Sequence, residues 1–170
     1  LLTESGRGWF YKRNEGEGQF APARRLGSRP NLSMSGPGVR MVDIDGNGKL
    51  DVVVMRPGVS GFFARDADND SFEPFRSFRS VPTARMDDPD SRLIDLDGDG
   101  HADLLISGDQ VFTWYPSEAR DGYGAPRRVP MAHDDAEGPR LLFSRDGEHI
   151  FTADMSGDGL TDLVRIRNGS

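Results

Sequence analysis

Three pairs of short apolar runs stand out along the chain, each pair split by an acidic turn: "VRMV" and "DVVVM", "SRLI" and "DLLIS", "HIFTA" and "DLVRI". Runs this short, rich in Val, Ile and Leu and bounded by Asp and Gly, predict β-strands rather than helices. A looser pattern precedes each pair: an aromatic segment closing on an aromatic-x-Pro turn, as in "GWFYKRNEGEGQFAP", "GFFARDADNDSFEP" and "VFTWYPSEARDGYGAP". From the aromatic of that turn to the next acidic loop the distance is 23 residues from Phe20 to Asp43, 23 from Phe72 to Asp95, and 31 from Tyr123 to Asp154. The longer third interval places an insertion in "AHDDAEGP".

The acidic turns are themselves repeats. "DIDGNGKLDVVVM" starts at Asp43, "DLDGDGHADLLIS" at Asp95 and "DMSGDGLTDLVRI" at Asp154, so the first residues lie 52 and 59 positions apart. A period of that size marks a repeat architecture. Each repeat offers roughly four strand candidates, "RLIDL", "ADLLIS", "VFTWYP" and "RRVPM" being the clearest set, which is the size of one β-propeller blade. The expected fold is all-β: blades of four-stranded antiparallel sheets, about three blade equivalents, with the acidic loop joining the first two strands of a blade. Counted from the loops, the expected divisions are 1–42 (the tail of one blade), 43–94, 95–153 and 154–170 (the start of a further blade).

Charge concentrates in the loops. Ten of the 28 acidic residues fall in the three nine-residue turns, and the remaining 18 are outnumbered by 21 basic residues. Three bound divalent cations would bring the net charge of −7 to about −1. The shared template is D-x-[DS]-G-[DN]-G-x-x-D. Oxygen-bearing side chains at positions one, three, five and nine, with the carbonyl of position seven, can converge on one hard cation. Glycines at four and six permit the positive-φ turns that fold so short a segment. Oxygen-only donors favour calcium over zinc or copper. The candidate ligands are Asp43, Asp45, Asn47, the Lys49 carbonyl and Asp51; Asp95, Asp97, Asp99, the His101 carbonyl and Asp103; and Asp154, Ser156, Asp158, the Leu160 carbonyl and Asp162. That is about three Ca2+ ions.

An EF-hand would need a glutamate at position twelve and flanking helices. Position twelve holds Val54, Ile106 and Arg165, and the flanks read as strands. A single Asp-Gly turn has a purely local explanation. Three copies that crowd like charges at the same spacing call for a cation, which would have a structural role.

Other features take plainer readings. "DADND" at Asp66–Asp70 lacks a glycine-enabled turn and is not expected to hold metal. His101, His133 and His149 show no zinc spacing, and the His101 side chain is expected to face solvent. Arg24–Arg25 and Arg127–Arg128 read as a solvated edge rather than a nucleic-acid surface. Trp9, Tyr11, Trp114 and Tyr115 could stack on sugars, but their regular place in the repeat points to packing between blades.

Length, at 170 residues, suits one domain; 21 glycines and 11 prolines fit a chain of strands and turns. The absence of cysteine excludes a disulfide framework, a thiolate zinc site and a cysteine nucleophile. No apolar window could span a membrane, and no signal-type segment occurs. The chain lacks an initiating Met and stops at "RNGS" directly behind a strand pattern, which reads as a piece of something longer. No G-x-S-x-G, P-loop or H-E-x-x-H is present, and carboxylates around calcium would not supply the raised-pKa acid of a glycosidase, so no enzymatic activity is expected.

The loops and the segments around them resemble the FG-GAP/VCBS repeat of calcium-binding β-propellers. "DMSGDGLTDLVRIRNG" and the W-Y-P segment are most similar to the repeats of the plasmid virulence protein B and insecticidal toxin-complex B-component family. The resemblance implies a non-enzymatic propeller in a secreted, toxin-like bacterial protein, with other domains or subunits of the assembly as partners. The same repeat class occurs in lectins, so a carbohydrate-binding propeller is the alternative. Three loops are too few to close a six- to eight-bladed ring. The chain is therefore expected to be a partial ring, or one that a homodimer closes with six blades.

Overall fold

A computed structural model describes residues 1–6, 8–85, 88–108, 110–132, 143, 148–153, 155–156 and 162–167 of the chain. Regular structure among them is strand apart from one 3₁₀ turn at Ala119–Asp121, and every strand pairing is antiparallel. No described helix is long and apolar enough to cross a membrane.

The first sheet orders β1 (Leu2–Ser5), β2 (Gly8–Tyr11) and β5 (Arg24–Arg25), and the separate hairpin β3 (Asn14–Gly16) and β4 (Gln19–Phe20) stands between β2 and β5 in sequence. The second sheet is a four-stranded meander of β6 (Val39–Val42), β7 (Asp51–Arg56), β8 (Val59–Phe63) and β11 (Arg76–Ser77). Its hairpin β9 (Arg65–Asp66) and β10 (Ser71–Phe72) again falls between the third and fourth strands. The third sheet runs β12 (Ser91–Ile94), β13 (Asp103–Ser107), β14 (Val111–Tyr115) and β15 (Arg127–Pro130). There the 3₁₀ turn and a Ser117–Tyr123 bridge take the place of the hairpin. β16 (Glu148–Ala153) and β17 (Asp162–Arg167) pair as the fourth sheet. Each four-stranded sheet begins with the strand ahead of its acidic loop, so the sheet from Val39 starts one strand before a unit counted from Asp43.

Strand periodicity explains how the sheets associate. β7 is a central strand whose β-branched run lies buried on both faces, which is why "DVVVM" shows no polar alternation. Val52 and Val54 pack with Trp9, Leu26, Val39 and Phe72, joining the second sheet to the first. Val53 and Met55 point the other way, into a cluster with Ile44, Phe62, Phe78, Leu104, Tyr115 and Tyr123, joining the second sheet to the third. β13 repeats the device: Leu104 belongs to that cluster, while Leu105 packs with Ile94, Phe143 and Ile150 toward the fourth sheet. Fully burying one such aliphatic side chain is worth about 1.5–3 kcal/mol. The sheets thus succeed one another face to face in chain order.

Turn chemistry sets the register. Arg56 pairs with Val59 across Pro57 and Gly58, and Gly58 sits at φ 78°, fitting a type II turn. Successive sheets are also tied by backbone: Gly27 N–H donates to the Asp70 carbonyl at 3.1 Å, and Arg79 N–H, 52 residues later, to the Asp121 carbonyl at 2.9 Å. The exit of each sheet thereby grips the turn of the next. At the second junction Ser80 also bonds Asp121 and Tyr123, and a Cβ on Gly122 would lie 2.0 Å from the Ser80 carbonyl oxygen.

The aromatic residues separate as packing requires. Trp9 and Tyr115 are buried, and Tyr11 and Trp114 are half-buried, with Arg65 over Tyr11 and Arg127 over Trp114. Arg24, Arg25, Arg127 and Arg128 lie exposed on the edge strands β5 and β15. Asp66–Asp70 is the tip of the β9–β10 hairpin, where Asp66 accepts from the Asp68 and Asn69 amides and Asp70 pairs with Arg65 at 3.3 Å.

Candidate metal centre

The loop between β6 and β7 is wound around its own carboxylates. Asp43 Oδ1 accepts from Asn47 N–H at 3.1 Å and Oδ2 from Gly48 N–H at 2.6 Å; Asn47 Oδ1 accepts from Lys49 N–H at 2.9 Å. The loop between β12 and β13 is built the same way: Asp95 accepts from Gly98 and Gly100 at 2.8 and 3.0 Å, and Asp99 from His101 N–H at 2.8 Å. The glycines fill the role expected of them, with φ of 67°, 79°, 78° and 86° at Gly46, Gly48, Gly98 and Gly100. The two loops are neighbours, for a Cβ on Gly46 would lie 3.3 Å from the Gly100 carbonyl oxygen.

Carboxylates converge in both. Ligand atoms of Asp43, Asp45 and Asp51 all lie within 4.8 Å of one another, and so do those of Asp95, Asp97 and Asp99. Asp51 is fully buried at the start of β7, and its Oδ1 accepts from Arg65 N–H at 2.7 Å. Asp51 Oδ2 and Asp45 Oδ1 are buried with no hydrogen-bond partner among the described residues. Burial raises the Asp51 carboxyl above the ordinary aspartate range, against the lowering effect of the Arg65 and Ile44 amides, and the nearby Asp45 charge raises it further. Two orphaned, buried carboxylate oxygens in one acidic cluster are a costly arrangement that a hard cation would relieve. The donor set of this loop fits calcium.

Position nine does a second job. Asp103, also fully buried, accepts from Leu96 N–H at 3.1 Å and from Ser117 N–H at 2.7 Å, and it stands outside the 4.8 Å group of Asp95, Asp97 and Asp99. Its carboxyl too is raised, chiefly by burial. Asp51 and Asp103 each reach an amide fourteen residues further on, so this aspartate pins the loop to the turn beyond the third strand. In the last loop Asp162 Oδ2 accepts from Met155 and Ser156 amides at 2.9 and 3.1 Å. Asp154, Asp158, Leu160, Gly157 and Gly159 lie outside the described residues.

The His101 side chain departs from the expectation that it faces solvent. It is half-buried, with Nδ1 at 3.2 Å from Asp99 Oδ2, because the adjoining first loop covers it. Arg120, which the sequence did not single out, places Nε and Nη2 both at 2.7 Å from Asp45 Oδ2. It comes from the 3₁₀ turn of the next sheet, a proximity of residues 75 apart that no local pattern announces.

At the other end of β7, a groove of about 490 Å³ opens between the β7–β8 turn and the segment leading to the third sheet, lined by Arg56, Ser60, Thr83 and Arg85 among others.

No family model matches the chain, and no curated protein matches it. Among solved structures it is similar to a lectin of Agrocybe aegerita, described by its specific recognition of non-reducing terminal N-acetylglucosamine: 21% identity over 93% of this chain and 41% of that one, with a TM-score of 0.57. At that identity the likeness is one of fold. A chain of the TcdB2-TccC3-TEV crystal structure also aligns, at 13% identity over 96% of this chain and 12% of that one, with a TM-score of 0.41. The chain therefore spans less than half the length of either structure.

Proposed function

We propose that this chain is a calcium-binding segment of a β-propeller of the FG-GAP/VCBS type, whose two four-stranded sheets are blades, whose first and last sheets are parts of blades, and whose role is non-enzymatic. The observation that carries this reading is the pair of buried oxygens without a hydrogen-bond partner among the described residues, Asp45 Oδ1 and Asp51 Oδ2, in a loop whose Asp43 carboxylate is satisfied by the Asn47 and Gly48 amides. Asp43, Asp45, Asn47 and Asp51 would hold one ion with the Lys49 carbonyl, and Asp95, Asp97, Asp99 and the His101 carbonyl a second. In that second loop Asp103 would bind directly or act from behind through its backbone bonds. The third loop would follow the same template. Calcium would neutralise the clustered charge and fix the β6–β7 and β12–β13 connections, so its role is structural. In the proposed setting the module is secreted and joins other domains or subunits of a toxin-like assembly, and a homodimer would complete a six-bladed ring.

Thermal unfolding of chelator-stripped protein, with and without calcium, tests the metal. A calcium-dependent rise in Tm is expected, and an unchanged Tm at millimolar calcium would remove the reading. Light scattering on the same sample distinguishes monomer from ring-closing dimer. A second reading, a carbohydrate-binding propeller, is favoured by the fold likeness to the lectin. Binding on a glycan array that survives dilution and is competed by free sugar would establish it; a blank array would leave the protein-assembly role.

A further inference from the structure

Asp45 uses its two oxygens differently. Oδ2 receives both Nε and Nη2 of Arg120, while Oδ1 is buried, without a partner among the described residues, and belongs to the residue cluster with Asp43 and Asp51. Arg120 is itself held. Its turn is anchored to the exit of the second sheet by the Arg79, Ser80 and Tyr123 backbone bonds, and its guanidinium carbon lies 6.0 Å from the centre of the Phe62 ring. The guanidinium, itself part-exposed, therefore reaches the first loop from a turn of the neighbouring sheet that is tied by backbone bonds to the exit of the second.

We infer that Arg120 is a positioning residue for the cation of the first loop, orienting Asp45 from the adjacent sheet so that ion binding and sheet-to-sheet docking are thermodynamically coupled. This rests on the calcium reading above. Ligating carboxylates are commonly fixed by hydrogen bonds from behind, and loss of such a partner costs about 10- to 100-fold in metal affinity. Coupling of this kind is reciprocal, so calcium in the first loop also tightens the grip of the third sheet's turn. The alternative role for an arginine here is a tethered competitor that occupies Asp45 in place of the metal. The geometry disfavours it, because the guanidinium takes one oxygen and leaves the other free. No arginine contacts Asp97 among the described ion pairs, so the second loop serves as an internal control.

Calcium titration of the full 15N-labelled chain separates the sites, with the Gly48 and Gly98 amides, bonded to Asp43 and Asp95, reporting the first and second loops. In Arg120→Ala the Gly48 transition should move to about 10- to 100-fold higher calcium while Gly98 stays within about threefold. Arg120→Lys keeps the charge and loses the fork, and it should weaken the Gly48 transition as well; it also serves if the alanine variant does not fold. Tighter binding at Gly48 in Arg120→Ala would identify a competitor and overturn the inference. Unchanged binding in both variants would overturn it too, as would full affinity in the lysine variant, which would reduce the effect to charge. If neither glycine responds in the parent chain, the calcium reading fails and takes the inference with it; a response at both that ignores Arg120 defeats the inference alone.

Discussion

Replacing Asp51 by Asn should change sign with calcium. The side chain is fully buried, with Oδ1 on the Arg65 amide and Oδ2 orphaned beside Asp43 and Asp45. Asparagine keeps an acceptor for Arg65 and removes the negative charge that faces Asp43 and Asp45. In chelator the substitution takes a buried charge out of an acidic cluster, so Tm should hold or rise. In calcium it deletes an anionic ligand. At a concentration about a hundredfold above Kd one site contributes about 2.7 kcal/mol, most of which the variant should lose. At about 2–4 °C per kcal/mol for a chain of this size, that is a fall of roughly 5–11 °C. Asp51→Ala separates the structural part, since it strands the Arg65 amide and should cost about 1–3 kcal/mol whether or not calcium is present. Differential scanning calorimetry of the three proteins in calcium and in chelator reads all of this. Equal destabilisation of Asp51→Asn in both conditions would rule out a ligand role and leave Asp51 a purely structural peg.

Further outcomes follow from the same geometry. In chelator, Asp51 and Asp103 have folded pKa values raised by burial, so the favourable protonated form gains weight as pH falls and stability is lost as pH rises through those values; melting curves followed from neutral pH down toward the ordinary aspartate range should show Tm climbing on acidification, and calcium should reverse the trend. Asp66 is held below the ordinary range by the Asn69 side chain and amide, so its contribution is present above the unfolded value and vanishes as pH falls through the folded one; Asp66→Ala should lower Tm at neutral pH and have little effect in strong acid. Gly122→Ala places a Cβ at 2.0 Å from the Ser80 carbonyl oxygen at φ 116°, and urea titration should show a loss of about 2 kcal/mol or more. Asp97→Ala should reduce the calcium-dependent Tm rise more than Ser156→Ala, since ligand charge governs affinity.

Much of the fold was legible because its signals are local. The apolar runs flanking each acidic loop became β6 and β7, β12 and β13, β16 and β17, and the double-faced burial of Val52 and Val53 explains why the β7 run lacks alternation. The glycine-enabled loop path was equally readable, because positive φ at Gly46, Gly48, Gly98 and Gly100 is a property of a few consecutive residues. The second role of position nine was not. Its partners, the Arg65 and Ser117 amides, approach only once the third strand has folded back. Arg120 escaped for the same reason, being placed by the junction between two sheets rather than by any motif. The short hairpin β9–β10 was hidden behind an acidic stretch whose Asp66 and Asp70 carboxylates are engaged within the hairpin itself.

Whether a cation occupies the first loop is decided by a crystal structure grown in calcium, with anomalous data collected. The predicted result is an anomalous peak coordinated by Asp43, Asp45 and Asp51, with oxygen distances of about 2.3–2.6 Å and Arg120 still on Asp45. A peak without anomalous signal at water-like distances, in crystals grown with excess calcium, would contradict it.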